Sequence, residues 1–506
     1  MTSEKPIFFR LLWIIPSLLL VLSACKTQSN PEGSDALPID PMSISWEDQS
    51  GFGRGLVRLE KDVVNSLVGA SVYHTDLQIS ADYSKIEGRQ QVRYTNQETI
   101  SLSEVVFRLF PNGTGGKMTV SGVRVDGQKP DTVLESQGTA LRVLLLKPIS
   151  PGQSVVIQMD FMVEVPRQLG GNYGLLSYYE DILALDGIYP SIAVYDDQGW
   201  HAEYPPVNAD LTYTDASFYL VRVTAPSKLV LAASGILLGS KVEGETQIST
   251  FAAGPARAFY LAGSEKFSVV SQKIGETTVN SYAFPKWAKG AEEAEQVAEK
   301  AIEIYSRRFG AYPYTELDVV STPMTALGIE YPGIVGISTK LFDPDQTVSG
   351  LPSQVLLESV VAHEIGHQWF YNLVGNDQQG EPWLDESVTQ YATGLYYLDR
   401  YGVPGEKSYQ ASWKSQWALV GKEKKPIGLP ADQYTPKEYS PIIYGRGPFF
   451  VSALADQMGQ SAFDDFIKDY VKQFSWENAT GAEFKQLAEQ HCQCDLTSLF
   501  KEWVFP

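Results

Sequence analysis

The chain contains little of several residue types, and each shortage excludes a class of protein. Only three of its 506 residues are cysteines, too few for a disulfide scaffold. Basic residues are also in deficit, with 40 Lys and Arg against 60 Asp and Glu and a formal net charge of -20. Because such a field repels phosphate backbones, we expect no nucleic-acid partner. The sequence also lacks internal repeats, which excludes a repeat architecture.

Apolar residues, by contrast, are plentiful. The chain is 43% hydrophobic, 12% aromatic and 20% charged. This composition excludes a disordered, collagenous or coiled-coil protein and is sufficient to bury cores in two or three domains.

The first 24 residues resemble a bacterial lipoprotein signal peptide. Lys5 and Arg10 give a basic start, residues 11–22 are apolar, and small residues lead to Cys25. The twelve apolar residues are too few for a membrane-spanning helix, which needs about 20. The resemblance implies cleavage before Cys25, acylation of that cysteine, and a lipid-anchored, extracytoplasmic position in the bacterial cell envelope. An ordinary secretory peptide followed by a chance cysteine is the alternative.

The remaining chain divides by its hydrophobic pattern. Residues 25–45 are rich in Ser, Pro, Gly and Asp without an apolar period, so we expect a flexible tether. Residues 46–275 contain short alternating runs of β-branched and aromatic residues, which predict an all-β saddle or sandwich. Residues 276–506 contain several segments with helical spacing and few strands. The sequence therefore predicts a multidomain α+β protein.

The second half of the chain contains a zinc-binding motif. Residues 363–367 match H-E-x-x-H within a stretch apolar enough to be a buried helix. Helical spacing brings the imidazoles of His363 and His367 to one face, where both can bind one zinc ion. Glu364 lies beside them and can act as the general base toward an attacking water. With only five histidines in the chain, a chance match to this motif is rare.

The third zinc ligand is predicted to be Glu386. Hydrolytic zinc sites use three protein ligands and keep a fourth position open. Eighteen residues separate His367 from Glu386, which lies at the start of a second helix with apolar periodicity. An antiparallel helical hairpin can turn that carboxylate back toward the metal. We therefore expect one Zn²⁺ ion, held by His363, His367 and Glu386.

The zinc motifs and their flanking segments resemble the aminopeptidase N family of gluzincin peptidases. The spacing of the three ligands matches, and residues 383–386 match that family's W-L-x-E segment. Looser matches occur at residues 309–314, 328–333 and 444–447. The similarity extends over about residues 70–500.

This resemblance implies both a fold and further site residues. The fold is a saddle-like β domain followed by a thermolysin-like, mainly helical zinc catalytic domain, without the long C-terminal helical domain of larger members. Tyr444 corresponds to the family's tyrosine that stabilises the oxyanion. Glu330 corresponds to the glutamate that binds the substrate's α-amino group, and Gly328 to the strand edge on which substrates lie. The implied activity is removal of N-terminal residues from short peptides outside the cytoplasm.

Several positions depart from the family pattern. Tyr331 stands in place of the usual Asn, Leu327 in place of a Gly, Asp385 in place of Asn and Ser387 in place of Gly. The β half also lacks a Pro-Cys-x-Asp-Glu-Pro run. The surroundings of the substrate's terminus must therefore differ from those in the family.

Two alternatives remain open. A zinc endopeptidase or oligopeptidase with a wider cleft is compatible with the same metal motifs. A surface lipoprotein that captures peptides without cleaving them would belong to a different class. The intact Glu364 argues against the second, since a binding protein has no use for a general base beside the metal.

The other histidines and cysteines receive structural interpretations. His74 and His201 are expected to be structural or exposed rather than metal ligands. Cys492 and Cys494 are close for a relaxed disulfide, although oxidation outside the cytoplasm stays possible.

Overall fold

A computed structural model of the protein describes residues 36–206, 210–211 and 213–505. The predicted signal peptide, Cys25 and the first part of the predicted tether lie outside these residues. Within the described ranges, no helix combines the length and the apolar character that crossing a membrane requires.

The first domain is built almost entirely of strands. It contains one short helix, α1 (Val63–Ser66), and the strands β1 (Val72–Ile79), β2 (Lys85–Thr95), β3 (Leu102–Arg108), β4 (Lys117–Val125), β5 (Thr132–Glu135), β6 (Ala140–Ile149), β7 (Ser154–Glu164), β8 (Leu176–Tyr179), β9 (Ile182–Leu185), β10 (Ser191–Ile192), β11 (Tyr195–Asp196), β12 (Gly199–Trp200), β13 (Ser217–Pro226), β14 (Val230–Ala233), β15 (Ile236–Glu243), β16 (Thr246–Ala256) and β17 (Leu261–Ser264). In β2, alternate residues are buried, as expected for a strand with one face on the core.

Three main sheets make up this domain. The seven-stranded sheet has the order β15-β16-β13-β1-β2-β7-β4, and the two four-stranded sheets have the orders β10-β3-β6-β5 and β14-β17-β9-β8. Within the large sheet, β1 pairs in parallel with β13, and its other neighbour β2 is antiparallel. Inward-facing residues of the sheets pack into one core that includes Ile86, Val105, Ile157 and Tyr219.

The end of the predicted tether belongs to this domain. The amide of Ser240 donates to the Ala36 carbonyl at 3.1 Å, and the amide of Ile39 donates to Thr250 Oγ1 at 3.0 Å. Arg222 lies 3.3 Å from the Asp40 carboxylate. Residues 36–45 are therefore attached to the sheet, so the tether expected over residues 25–45 is shorter at its C-terminal end.

The second domain combines a sheet with helices. Its strands are β18 (Ser268–Ile274), β19 (Thr277–Ala283), β20 (Glu316–Thr322), β21 (Gly328–Tyr331), β22 (Ile334–Ser338), β23 (Thr347–Val348) and β24 (Leu351–Pro352). Its helices are α2 (Ala288–Phe309), α3 (Ser353–Gly366), α4 (Pro382–Ala418), α5 (Gly447–Met458), α6 (Gln460–Gln473), α7 (Gly481–Cys492) and α8 (Thr497–Trp503), with a π-helix at Pro441–Arg446 before α5.

The sheet of this domain begins earlier than the sequence predicts. Its order is β18-β19-β20-β22-β21, and β19 pairs in parallel with β20. The predicted boundary at residue 275 falls in the turn between β18 and β19, so β18 lies in the second domain. The sequence places this strand with the first domain because its alternating pattern resembles the β-rich stretch before it. Strand β21 forms the outer edge and is antiparallel to β22.

Helix α2 supports the helix that carries the zinc motif. It buries Ala291, Ala294, Ala298, Ala301 and Tyr305, a stripe with helical spacing. The Tyr305 hydroxyl donates to the carbonyl of Ala362, at 2.9 Å, immediately before the motif. This hydrogen bond holds the C-terminal end of α3 against α2.

The two domains are joined through a buried arginine and a stacked tyrosine pair. The Arg257 side chain, which is 1% exposed, donates to the carbonyls of Asn372, at 3.0 Å, and Glu477, at 2.7 Å. Tyr260 of the first domain stacks on Tyr331 of β21, with ring centroids 4.0 Å apart. The first domain is therefore held against the edge strand that borders the zinc motif.

The two C-terminal cysteines form a disulfide. Cys492 and Cys494 are joined, with their Cα atoms 5.1 Å apart. The intervening Gln493 has the left-handed conformation at the end of α7. The pair therefore closes the turn that ends this helix.

Candidate metal centre

The three predicted zinc ligands converge in a buried wall between α3 and α4. His363 lies in the last turn of α3, His367 caps that helix, and Glu386 lies one turn into α4. The Nε2 atoms of the two histidines are 3.1 Å apart. Glu386 Oε2 lies 3.2 Å from His363 Nε2 and 3.4 Å from His367 Nε2. The three side chains are at most 9% exposed.

This donor set fits a zinc ion. A tetrahedral ion with ligand bonds of about 2.0–2.1 Å holds its ligand atoms about 3.3–3.4 Å apart. The observed separations of 3.1, 3.2 and 3.4 Å lie at or slightly below that value. Two imidazole nitrogens and a carboxylate oxygen converge on one point, which is the arrangement that a shared cation requires. Two nitrogens and one oxygen are ligands that Zn²⁺ accepts.

Asp385 orients one of the ligands. Its Oδ1 lies 2.6 Å from His367 Nδ1, and the carbonyl of Phe370 lies 3.0 Å from the same nitrogen. Either acceptor fixes the proton on Nδ1 and leaves the lone pair of Nε2 for a metal. Asp385 is 1% exposed.

Glu364 lies beside the ligands and against the strand edge. It is 5% exposed, and burial raises the pKa of its carboxyl well above the ordinary value. A Cβ atom at position 328 would lie 2.2 Å from Glu364 Oε1. Glycine at this position is therefore required for the carboxylate to reach its place beside β21.

Tyr444 reaches the centre from the π-helix. Its hydroxyl donates a short hydrogen bond to Glu386 Oε1, and its ring lies 6.0 Å from the ring of His363. A π-helix shifts side chains relative to an α-helix and is common at functional sites. The shift places a phenol donor next to a ligand carboxylate.

Glu330 faces the same wall from strand β21. Its carboxylate lies within 4.8 Å of ligand atoms of His367 and Asp385. The Gln378 amide donates to Glu330 Oε1 at 3.1 Å and also to Asp385. Burial raises the pKa of Glu330 well above the ordinary value, and Asp385 adds to the rise although His367 opposes it. This carboxylate is therefore suited to a cationic group of a ligand.

Two residues of the first domain complete the site and are missed by sequence reasoning. Asp210 is 9% exposed, and burial raises its pKa, with a further rise from Glu330 and Glu386. Tyr173 is half-buried, and after burial the same acids, Asp210, Glu386 and Glu330, raise its pKa. Neither residue belongs to a motif with a characteristic spacing.

Gln378 is missed for the same reason. It lies in a connecting segment between α3 and α4 whose pattern predicts only a loop. Its contact with Glu330 spans 48 residues of sequence, and only the folded chain brings the two together.

The structure shows where each residue singled out from the sequence lies. The structure brings together Gly328, Glu330, His363, Glu364, His367, Glu386 and Tyr444, all proposed from sequence. His74 is buried against Trp46, with ring centroids 4.2 Å apart, and His201 lies 2.7 Å from Asp196. The functional roles of the grouped residues stay predictions, whereas their proximity is a property of the structure.

Comparison with known proteins shows which family the second domain is similar to. Residues 293–503 match the model of the peptidase family M1 domain. Probable aminopeptidase 2 of Sulfurisphaera tokodaii is 26% identical over 272 residues, which cover 52% of this chain and 35% of that protein. Endoplasmic reticulum aminopeptidase 2 of Homo sapiens is 23% identical over 373 residues, covering 71% of this chain and 38% of that protein. The chain thus spans little more than a third of the length of these relatives.

Solved structures match over almost the whole chain. The M1 zinc metallopeptidase from Deinococcus radiodurans has a TM-score of 0.62 at 19% identity, covering 90% of this chain and 94% of its own. A mutant of that protein bound to a Tyr-Ser-Ala substrate matches with a TM-score of 0.61. These likenesses confirm the predicted fold of a β-rich domain followed by a mainly helical domain.

The contact between Asp385 and His367 generates a prediction on metal affinity. The Asp385→Ala substitution should weaken zinc binding about 10- to 100-fold, because His367 loses the carboxylate beside Nδ1 and keeps only neutral partners, the Phe370 carbonyl and the Thr389 hydroxyl. Asp385→Asn keeps an oxygen acceptor and should retain most of the affinity. Competition against a chromophoric chelator measures both variants. An Asp385→Ala chain that binds zinc as tightly as the unsubstituted chain would contradict this role.

Proposed function

We propose that this chain, whose residues 293–503 belong to the peptidase family M1 domain, is a zinc-dependent peptidase that removes N-terminal residues from short peptides. One observation carries the proposal. The Glu330 carboxylate lies within 4.8 Å of His367 and Asp385 ligand atoms, beside the metal ligands. One residue of extended chain spans about 3.3–3.6 Å. A peptide whose ammonium group binds Glu330 therefore presents its first carbonyl at the metal centre.

The catalytic chemistry follows from the positions of the side chains. When bound by His363, His367 and Glu386, Zn²⁺ supplies a Lewis acid that polarises the scissile carbonyl and makes water more acidic. Glu364 accepts a proton from the attacking water and later delivers it to the leaving amine. Tyr444 donates its phenol hydrogen to the oxygen on which negative charge develops.

The edge of strand β21 supports binding of an extended substrate. β21 pairs with β22 on one side only, and Gly328 leaves its backbone accessible beside Glu364. Main-chain hydrogen bonds to such an edge recognise a peptide without regard to its side chains. The substrate's N-terminus then lies toward Glu330, two residues along the strand.

The position of Tyr331 favours the exopeptidase over a wider-cleft endopeptidase. Neighbouring residues of a strand face opposite sides, so Tyr331 points away from the side that Glu330 occupies. Tyr331 is 3% exposed and stacks on Tyr260 in the core between the domains. Its replacement of the family's Asn therefore adds no bulk on the Glu330 side of the strand and leaves the proposed N-terminal anchor undisturbed.

Short peptides are the proposed substrates. A mutant of the Deinococcus radiodurans protein with the same fold has been crystallised bound to a Tyr-Ser-Ala substrate, and a mutant of a two-domain M1 zinc metallopeptidase has been crystallised bound to L-tryptophan. The acidic wall formed by Asp210, Glu330 and Glu364 is suited to a ligand that carries an ammonium group. Both points support a free N-terminus as the feature recognised.

The Glu364→Gln substitution tests the mechanism. The neutral amide keeps the shape of the side chain but cannot accept a proton, so kcat should fall about 10²- to 10⁴-fold. Hydrolysis of a fluorogenic leucine substrate measures the rate, and elemental analysis checks that zinc content is unchanged. A variant that keeps the wild-type rate would show that Glu364 is not the general base.

Acetylation of the substrate tests the exopeptidase assignment. The unsubstituted enzyme should cleave a free-amino peptide and not its N-acetylated form, because acetylation removes the charge that Glu330 binds. Glu330→Gln should reduce kcat/KM for the free-amino peptide about 10- to 100-fold, the loss of a charge-assisted hydrogen bond. Internal cleavage of the acetylated peptide at a comparable rate would instead establish an endopeptidase. Stoichiometric binding without any product would establish a peptide-binding protein.

A lipid anchor in the bacterial envelope is also part of this proposal. Its support is the sequence of residues 1–25, with a basic start, a short apolar run and a terminal cysteine. In a bacterial host fed labelled palmitate, the full chain should carry label and sediment with membranes. Cys25→Ser should abolish both, whereas Cys494→Ser should change neither. An unlabelled, released full chain would indicate an ordinary secretory signal.

A further inference from the structure

A second cavity lies at the junction of the two domains. It has a volume of about 320 Å³, and among the residues that line it are none of the three metal ligands, Glu330 or Glu364. Both domains contribute polar side chains to its lining: Arg108, His201 and Tyr213 from the first, Asp377, Gln379 and Asp432 from the second.

Arg108 is the unusual member of this lining. It ends strand β3 and is 3% exposed. Its Nη1 donates to the carbonyl of His201 at 2.9 Å, whereas Nε and Nη2 have no hydrogen-bond partner anywhere in the described ranges. Burial lowers the pKa of Arg108 to about 10, although the Glu203 carboxylate opposes the fall, and the group stays charged at neutral pH. A buried guanidinium with two free N–H sites is costly, so it indicates an anion that would hydrogen-bond to them.

The positions of the two free nitrogens indicate which kind of anion Arg108 can bind. Nε and one Nη lie side by side on the same edge of a guanidinium and form a planar fork that matches the two oxygens of a carboxylate. The Arg108 guanidinium carbon also lies 5.2 Å from the centre of the Phe110 ring, which borders the cavity. The ring restricts the plane in which the fork can receive a ligand.

The other charges in the cavity are mainly negative. Glu203, Asp377 and Asp432 line it, and His201 lies 2.7 Å from Asp196. The three lining carboxylates would repel a simple anion such as phosphate or acetate. A ligand that carries both a carboxylate and an ammonium group satisfies Arg108 and the acids together.

We propose that this cavity binds a free amino acid or a dipeptide as a zwitterion, with its carboxylate on Nε and Nη2 of Arg108 and its ammonium group toward Asp377 and Asp432. Such molecules are the products of the proposed peptidase, although the binding site itself does not depend on that activity. The site would be a second amino-acid site, separate from the one at Glu330.

The cavity is also connected to the metal centre through the backbone. Asp377 and Gln379 line it, and between them Gln378 turns the other way, toward Glu330 and Asp385. Gln379 also bonds across the domain junction, donating to the carbonyl of Leu211 at 2.9 Å. An occupied cavity therefore contacts the same short segment that links the proposed N-terminal anchor to the metal ligands.

Equilibrium dialysis with radiolabelled L-leucine tests the proposal. The zinc-loaded, full chain with Glu364→Gln serves as the parent, so that amide probes are not hydrolysed. The parent should bind two leucines, and adding Arg108→Met should remove one site or weaken it about 10- to 100-fold. Adding Glu330→Gln instead should remove the other. L-leucinamide, which has an ammonium group but no carboxylate, should compete at the Glu330 site alone.

Several results would overturn the second site. One leucine per parent chain, with no change in Arg108→Met, excludes it. Equal competition by leucinamide at both sites shows that the carboxylate is not recognised, and this comparison needs no substitution at Arg108. Displacement by acetate as effective as by leucine shows an anion site without an ammonium contact. If the parent binds leucine only at the Arg108-dependent site, the proposed N-terminal anchor at Glu330 is rejected and the Arg108 site is retained.

Discussion

Two imidazole nitrogens and one carboxylate oxygen lie within 3.4 Å of one another in a wall that water hardly reaches. This cluster has the atoms and the spacing that one divalent cation requires, and several neighbouring side chains hold it in place. Tyr305 of α2 bonds to the end of α3, and Asp385 fixes the ring of His367. The helices, and not the individual side chains, therefore set the geometry of the centre.

A concentration of buried acids is the second constraint. Glu330, Glu364, Asp385 and Glu386 come from the second domain, and Asp210 comes from the first. Burial of like charges is unfavourable unless cations compensate them. A metal ion is one compensating charge that this arrangement can hold, and the ammonium group of the proposed substrate would be a second. The acidity of the site and the proposed recognition of a free N-terminus would thus have one physical origin.

Sequence reasoning succeeds where a function depends on local spacing. The helical repeat alone places His363 and His367 on one face with Glu364 beside them, and a fixed gap leads to Glu386. Gln378 and Asp210 have no such spacing, since their contacts with Glu330 exist only after the sheet and both domains have assembled. The predicted C-terminal boundary of the first domain is wrong for a related reason. Strand β18 alternates like its predecessors, yet it pairs with β19 in the other domain's sheet.

The glycine at position 328 has a consequence for how such a protein can diversify. Any side chain there would collide with the Glu364 carboxylate, so a substitution at this position must displace the proposed general base. Tyr173 and Asp210 interact with the same acids from the first domain, which contributes none of the three predicted metal ligands. Engineering of a new selectivity can therefore begin at these two positions in the β-rich half while the predicted metal ligands stay constant.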